Sequence, residues 1–294
     1  MTGTAATVAA RDPMPGIAAM CAGVACLCVN DAFAKALTEG YSPVQILFLR
    51  SLIALPFAAA IAVGTGGPRA LVSRRPLAHL ARGGLVIAAA LLFFTSFRYL
   101  GLAEATGLIF VAPIFITALS ALVLREPVGW RRWLAVAAGF AGVLIVVRPG
   151  AAAFQPASVL PVLAALFYAV LMLSARWLDA RESVWTMQLW LVGSSVLLSG
   201  LAVGFVWTPV PAGDLWAFGC IALFGTLGMT LITQAFRMAP AVVIAPLDYT
   251  ALLWATGFGW LFWQEVPDRA TAVGAAVIVA SGVFIMIRER RAAG

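Results

Sequence analysis

Charge is scarce in this sequence: 11% of its 294 residues are charged and 63% are hydrophobic, where a soluble domain carries about 25% and about 45–50%. That scarcity excludes a soluble globule. Histidine is nearly absent, and the single example, His79, falls in an expected loop. The four cysteines, Cys21, Cys26, Cys28 and Cys220, all lie inside apolar runs, where a thiol behaves as a small hydrophobe. Cys26 and Cys28 are one residue apart, so zinc-ligand spacing is missing and no disulfide framework is expected. No metal-ligand cluster and no serine beside a base stands near a membrane interface. The chain is therefore read as no enzyme, with no catalytic residue, cofactor or metal. The formal charge of +7 suggests nucleic acid only until its placement is considered. The arginines sit mostly between apolar runs and form no basic stripe, so no nucleic-acid partner is expected.

What the sequence has is long apolar runs. At about 20 residues per span, they place helices at 15–37, 43–64, 80–100, 103–124, 130–148, 158–178, 184–205, 214–236, 240–263 and 269–288. Only Tyr99 to Glu104 divides the third from the fourth, so nine helices is the alternative. Basic residues collect on the cytoplasmic side of short loops. With ten helices and both termini cytoplasmic, 14 of the 19 basic residues fall on that side. Merging the third and fourth helices inverts every later loop and destroys the asymmetry. The first 15 residues lack a convincing processing site, so no cleaved signal peptide is expected. The setting implied is a bacterial inner membrane, with the lipid bilayer as partner.

A repeat runs through the chain. Phe97-Arg98 through Arg125-Glu126 to Val147-Arg148 lies against Phe236-Arg237 through Gln264-Glu265 to Ile287-Arg288, mostly at an offset of 139 residues. Ala34-Lys35-Ala36-Leu37 matches Ala175-Arg176-Trp177-Leu178 less firmly, at offset 141. Two five-helix halves, 15–148 and 158–288, must lie in opposite orientations because five is odd. The fold expected is an all-α membrane protein of inverted repeats, whose substrate belongs at their interface.

Lys35 closing the first helix, Arg50 in Phe48-Leu49-Arg50, and Leu124-Arg125-Glu126-Pro127 followed by Gly139-x-x-Gly142 resemble the drug/metabolite transporter superfamily. Together with the five-plus-five arrangement they look most like its ten-helix EamA-type branch. In the second half the turn reads Gln264-Glu265-Val266-Pro267, a local departure from that pattern. The resemblance implies an exporter of small metabolites, most like the aromatic amino-acid exporters. A carrier of nucleotide-like metabolites such as S-adenosylmethionine is the alternative.

Ionisable groups inside hydrocarbon are costly, so each is a functional candidate. Asp31 and Lys35 stand four apart on one helix face, and Arg50 reaches a similar depth on the second helix. They suit a zwitterion, with a basic group facing its carboxylate and Asp31 facing its ammonium; a purely structural charge cluster is the competing account. Asp248, beside Tyr249 and two residues after Pro246, is the other intramembrane carboxylate. Pro246 corresponds to Gly107 in the repeat, which weakens the fourth and ninth helices near their starts; Pro113 lies further along the fourth. Tyr99, Tyr168, Tyr249 and Trp254, with Phe94 and Phe110, are expected in a cavity wall, with core packing the alternative for each. Small residues at Ala135, Gly139, Gly142, Gly274, Ala280 and Gly282 mark the fifth and tenth helices as scaffold. Whether those helices pack within one chain or between two stays open, so monomer and homodimer both fit.

Overall fold

The computed structural model describes residues 14–123, 130–147, 155–174, 184–238 and 245–293, and among these there is no β-strand. The helices are α1 (Met14–Leu37), α2 (Pro43–Gly66), α3 (Pro76–Ser96), α4 (Leu102–Ile109), α5 (Ala112–Val123), α6 (Trp130–Val147), α7 (Val159–Leu173), α8 (Val184–Val203), α9 (Leu215–Met238), α10 (Ala251–Trp263) and α11 (Arg269–Ala293). Among the described residues seven helical stretches are long and apolar enough to cross a bilayer, and Trp133–Val147 and Arg269–Ser281 are shorter apolar helices. The Leu124-Arg125-Glu126-Pro127 turn, Arg176 and Trp177 lie outside the described residues.

Two sequence expectations need correction. The third helix runs from Pro76 to Ser96, not over 80–100, because Pro76 stands in its first turn, where a missing N–H costs nothing. His79 is therefore a fully buried helical residue against Trp190, not a loop residue. The fourth segment is not continuous: it breaks between Ile109 and Ala112. Pro113 has no N–H to give to Ile109, which accounts for the break on that side. At the repeat offset of 139, Phe110 and Val111 correspond to Tyr249 and Thr250, and there the chain forms a 3-10 segment, Ala245–Thr250, ahead of α10.

Many large exposed side chains are apolar, among them Phe57, Leu77, Leu201 and Leu223, while Gln45, Ser96, Thr106 and Ser194 are buried. This is the polarity of a chain whose surroundings are lipid. The main helix contacts join the two halves of the chain: α1 with α9, α7 with α3, α2 with α8, α4 with α10, and α6 with α11. Small residues permit the closest of them. A Cβ on Gly142 would lie 3.0 Å from the Gly274 carbonyl oxygen, and one on Gly274 would lie 2.7 Å from the Gly142 oxygen. Gly23 and Gly228 are matched in the same way between α1 and α9, at 3.0 and 2.9 Å. The α6–α11 contact thus forms within one chain.

One end of the bundle is tied together by polar groups. Lys35 Nζ donates to both carboxylate oxygens of Glu265, at 2.5 and 2.6 Å, and to the Leu100 carbonyl at 3.4 Å. Glu265 is aimed there by its neighbour: Gln264 ends α10 in the left-handed conformation (φ 56°), and the Glu265 N–H bonds back to Gly259 O at 3.0 Å. The same carboxylate accepts from Leu102 N at 3.1 Å, satisfying a donor at the start of α4. Arg98 donates to the Thr38 and Tyr41 carbonyls at 3.1 and 2.8 Å, and Gln45 and Thr208 exchange two bonds at 2.7 and 2.8 Å. Tyr41 donates to Asp214 at 2.5 Å. That hydrogen bond, with burial adding to it, pushes the Tyr41 phenol up to about 12, so it stays protonated and donating at physiological pH.

The thermal midpoint of the detergent-solubilised protein tests both kinds of contact. Gly142→Ala drives a methyl into backbone that has no free space and is expected to cost about 1–3 kcal/mol. Gly257→Ala, with nothing within 4 Å of the added atom, is expected to be neutral or slightly stabilising. Glu265→Gln strands the buried Lys35 charge, at about 3–5 kcal/mol, whereas joining Lys35→Met to Glu265→Met removes both charges and recovers most of the loss. A double variant as unstable as the single would refute the pairing account.

Candidate functional site

Five of the residues singled out in sequence lie deep among the helices, linked through Cys28. Asp31, on α1, accepts from Asn30 Nδ2 at 2.9 Å and lies within electrostatic reach of Arg50 on α2. Arg50 stands over the Phe94 ring of α3, 5.8 Å from its centroid. From the second half, Asp248 in the 3-10 segment lies within electrostatic reach of Tyr168 on α7 and of its neighbour Tyr249. Cys28, one turn before Asp31, lies within such reach of both carboxylates. Its thiol donates to the Ala251 carbonyl at 3.6 Å, which fixes α1 against the start of α10.

These groups line space rather than fill it. Asp248 is exposed and Tyr168 is 43% exposed, although both lie deep within the protein. We read this combination, an open local surface with protein around it at longer range, as an internal cavity. Asp31 and Arg50 are half-buried and equally deep. A narrow cleft lies one turn along α2 from Arg50, lined by Ala54, Ala58, Gln188 and Thr226 among others. Asp248 accepts no hydrogen bond from any described residue.

The remaining candidates are placed as follows. Phe110 is buried at the α4–α5 break, with its ring 5.0 Å from that of Tyr249. Phe94 is buried in the core, stacked near Phe97, and presents a face to Arg50. Trp254 is 41% exposed and stacks on Phe258. Tyr99 is 61% exposed, beyond the end of α3. Lys35 is committed to Glu265, one turn from Asp31 toward the tied end, with Trp263 4.9 Å beneath it. Glu265, Asn30 and Cys28 were not singled out as site residues from sequence. The acidic turn of the repeat marked Glu265, but nothing in sequence joined it to a lysine 230 positions away. Among the described residues no group of three His, Cys, Asp or Glu is placed to hold a metal ion.

The family model described as the EamA-like transporter family matches residues 14–148 and again 155–287. The S-adenosylmethionine uptake transporter of Rickettsia bellii is 30% identical over 273 residues, 90% of this chain and 90% of that one. The riboflavin transporter of Rhizobium johnstonii is 31% identical over 244 residues, 82% of this chain and 78% of its own. The pseudopaline exporter of Pseudomonas aeruginosa is 28% identical over 271 residues, 87% and 90%. A protein of known crystal structure superposes with a TM-score of 0.62 at 22% identity, over 94% of this chain and 99% of that one, a likeness of fold alone. None of these three relatives is named for an amino acid, so the expected amino-acid export finds no support among them. The alternative cargo does. Apolar helices arranged around a polar cavity, and one family model matched in both halves, lead to one conclusion: the chain is a multi-pass membrane protein and belongs to the EamA-like transporter family.

Proposed function

We propose that this chain takes up S-adenosylmethionine or a closely similar metabolite, one with an amino-acid head joined to a flat heteroaromatic nucleoside. The observation that carries the reading is the convergence of Asp31, Arg50 and Asp248 in one internal cavity walled by aromatic rings. The Asp31–Arg50 pair offers an acceptor for an ammonium and a planar donor fork for a carboxylate. Tyr168, Tyr249 and Trp254 offer faces for a purine. The relative named for S-adenosylmethionine uptake supports both the cargo and the direction; an exporter among the relatives keeps export as the competing direction.

The mechanism we infer is alternating access between inverted repeats at 15–148 and 158–288, ten spans in all, with both termini cytoplasmic in a bacterial inner membrane. Support comes from the loop charges and from the contacts, since the α1–α9 pair is answered by α7–α3 when one half is exchanged for the other. Matching interruptions at Phe110–Val111 and in Ala245–Thr250 stand where carriers of this kind place substrate. On this orientation the tied end is the outer one, and the Lys35–Glu265 pair holds it shut while the cavity communicates with the cytoplasm. The reading leaves the cargo chemically unchanged, so no enzyme activity is proposed.

Proteoliposomes containing the purified protein are expected to accumulate labelled S-adenosylmethionine saturably, above empty vesicles, with excess unlabelled compound competing. Phenylalanine flux with no S-adenosylmethionine flux would overturn the reading in favour of amino-acid transport. Arg50→Gln removes a charge-assisted bond of about 1.5–3 kcal/mol and is expected to weaken transport by roughly 10- to 100-fold. Unchanged flux in that variant would remove Arg50 from the site.

A further inference from the structure

We infer that Asp248 forms a separate subsite for a fixed cation on the body of the cargo, distinct from the Asp31–Arg50 pair that takes its amino-acid head. The inference rests on the cargo proposed above and adds the division of labour among its charges.

The charges facing the cavity are unequal. Lys35 is neutralised by Glu265 at the tied end, which among the described residues leaves Asp31, Asp248 and Arg50. At formal charge these sum to one excess negative. Asp31 and Arg50 are already matched with one another. An α-amino acid carries its carboxylate and ammonium on the same carbon, so that pair suffices for both. Asp248 belongs to another helix in the other half of the chain, and Cys28 stands within electrostatic reach of it and of Asp31 alike. A second cation must therefore sit on the body of the cargo, away from its α-carbon.

The surroundings of Asp248 suit a cation that cannot donate hydrogen bonds. Among the described residues none donates to the carboxylate and no basic side chain stands within its electrostatic reach; its neighbours there are the phenols of Tyr168 and Tyr249. An intramembrane carboxylate left unpartnered at an open surface marks a ligand or ion path. Ring faces attract onium ions, and Tyr249 is backed by Phe110 at 5.0 Å. A sulfonium, with a full charge and no N–H, is recognised by charge and ring faces alone. A cargo of net charge +1 then leaves the filled cavity neutral, which lowers the cost of burying it.

Equilibrium binding to the purified full-length protein tests this without requiring flux. S-adenosylhomocysteine shares the skeleton of S-adenosylmethionine but lacks the methyl group that makes the sulfur cationic. The unaltered protein is expected to favour S-adenosylmethionine by at least tenfold. Asp248→Asn should abolish that preference, weakening S-adenosylmethionine 10- to 100-fold while S-adenosylhomocysteine changes less than about threefold; Asp248→Glu should keep the preference. Retained S-adenosylhomocysteine affinity also reports that the asparagine variant is folded. Equal loss of both ligands, or an unchanged preference, overturns the subsite while leaving the cargo reading in place. An unaltered protein that binds neither ligand overturns the cargo reading itself, and this proposal with it.

Discussion

Hydrocarbon offers polar groups no water, so each one carried into the bundle must find its partner within the protein or line a space that water reaches. The tied end is the visible result. Lys35, Arg98, Gln45 and Tyr41 all have partners, and most of those partners are supplied by residues at the ends of other helices. Satisfying the side chains therefore fixes the helix ends relative to one another. Arg82 obeys the same constraint inside α3, donating to the Leu171 carbonyl and the Ser174 hydroxyl of the α7 end at 3.2 and 3.1 Å. Asp248 stands apart from these groups: no described residue donates to it, and its carboxylate is exposed to open space instead.

The same economy of partners separates stiff from compliant helix pairs. Between α6 and α11, and between α1 and α9, glycines bring backbone against backbone, so sliding of one helix along the other meets steric walls at once. Between α4 and α10 the contact lies beside two interruptions, at 110–111 and 245–250. Broken helices have backbone groups free to change partners, which makes such positions the natural hinges of a bundle. Asp248 and Tyr249, with the buried Phe110 behind Tyr249, sit at those interruptions, and Asp31 and Arg50 sit on continuous helices.

Much of this arrangement was legible in the sequence because it rests on local patterns. Apolar runs located the helices, Pro113 stood where the fourth, expected to be continuous over 103–124, breaks, and small residues marked the fifth and tenth as able to pack closely. Boundaries slipped where a proline opened a helix earlier than hydropathy suggested, which is why His79 moved from loop to core. The unread part is long-range. Lys35 is an intramembrane charge by pattern, but its partner depends on one left-handed residue, Gln264, turning Glu265 back over α10. Arg98, which breaks the loop-charge pattern, is explained only by carbonyls 57 and 60 positions earlier. Phe94 and Tyr99 are adjacent candidates in sequence with opposite fates, one core and one surface, because α3 ends between them. Cargo was least legible, since apolar and aromatic walls suit many flat solutes and only the count of facing charges separates them.

That count has a consequence for transport. A ligand shifts a conformational equilibrium only by the difference in its affinity for the two states. A solute bound wholly by Asp31 and Arg50 touches only the first half of the chain, and such contacts survive any motion of that half as a rigid unit. A solute that also meets Asp248 and Tyr168 spans both halves, so relative movement of the halves must stretch or compress one set of its contacts. On the proposed mechanism, a cargo with charges at two places on its skeleton is therefore both recognised by the cavity and able to report its presence to the helices that have to move.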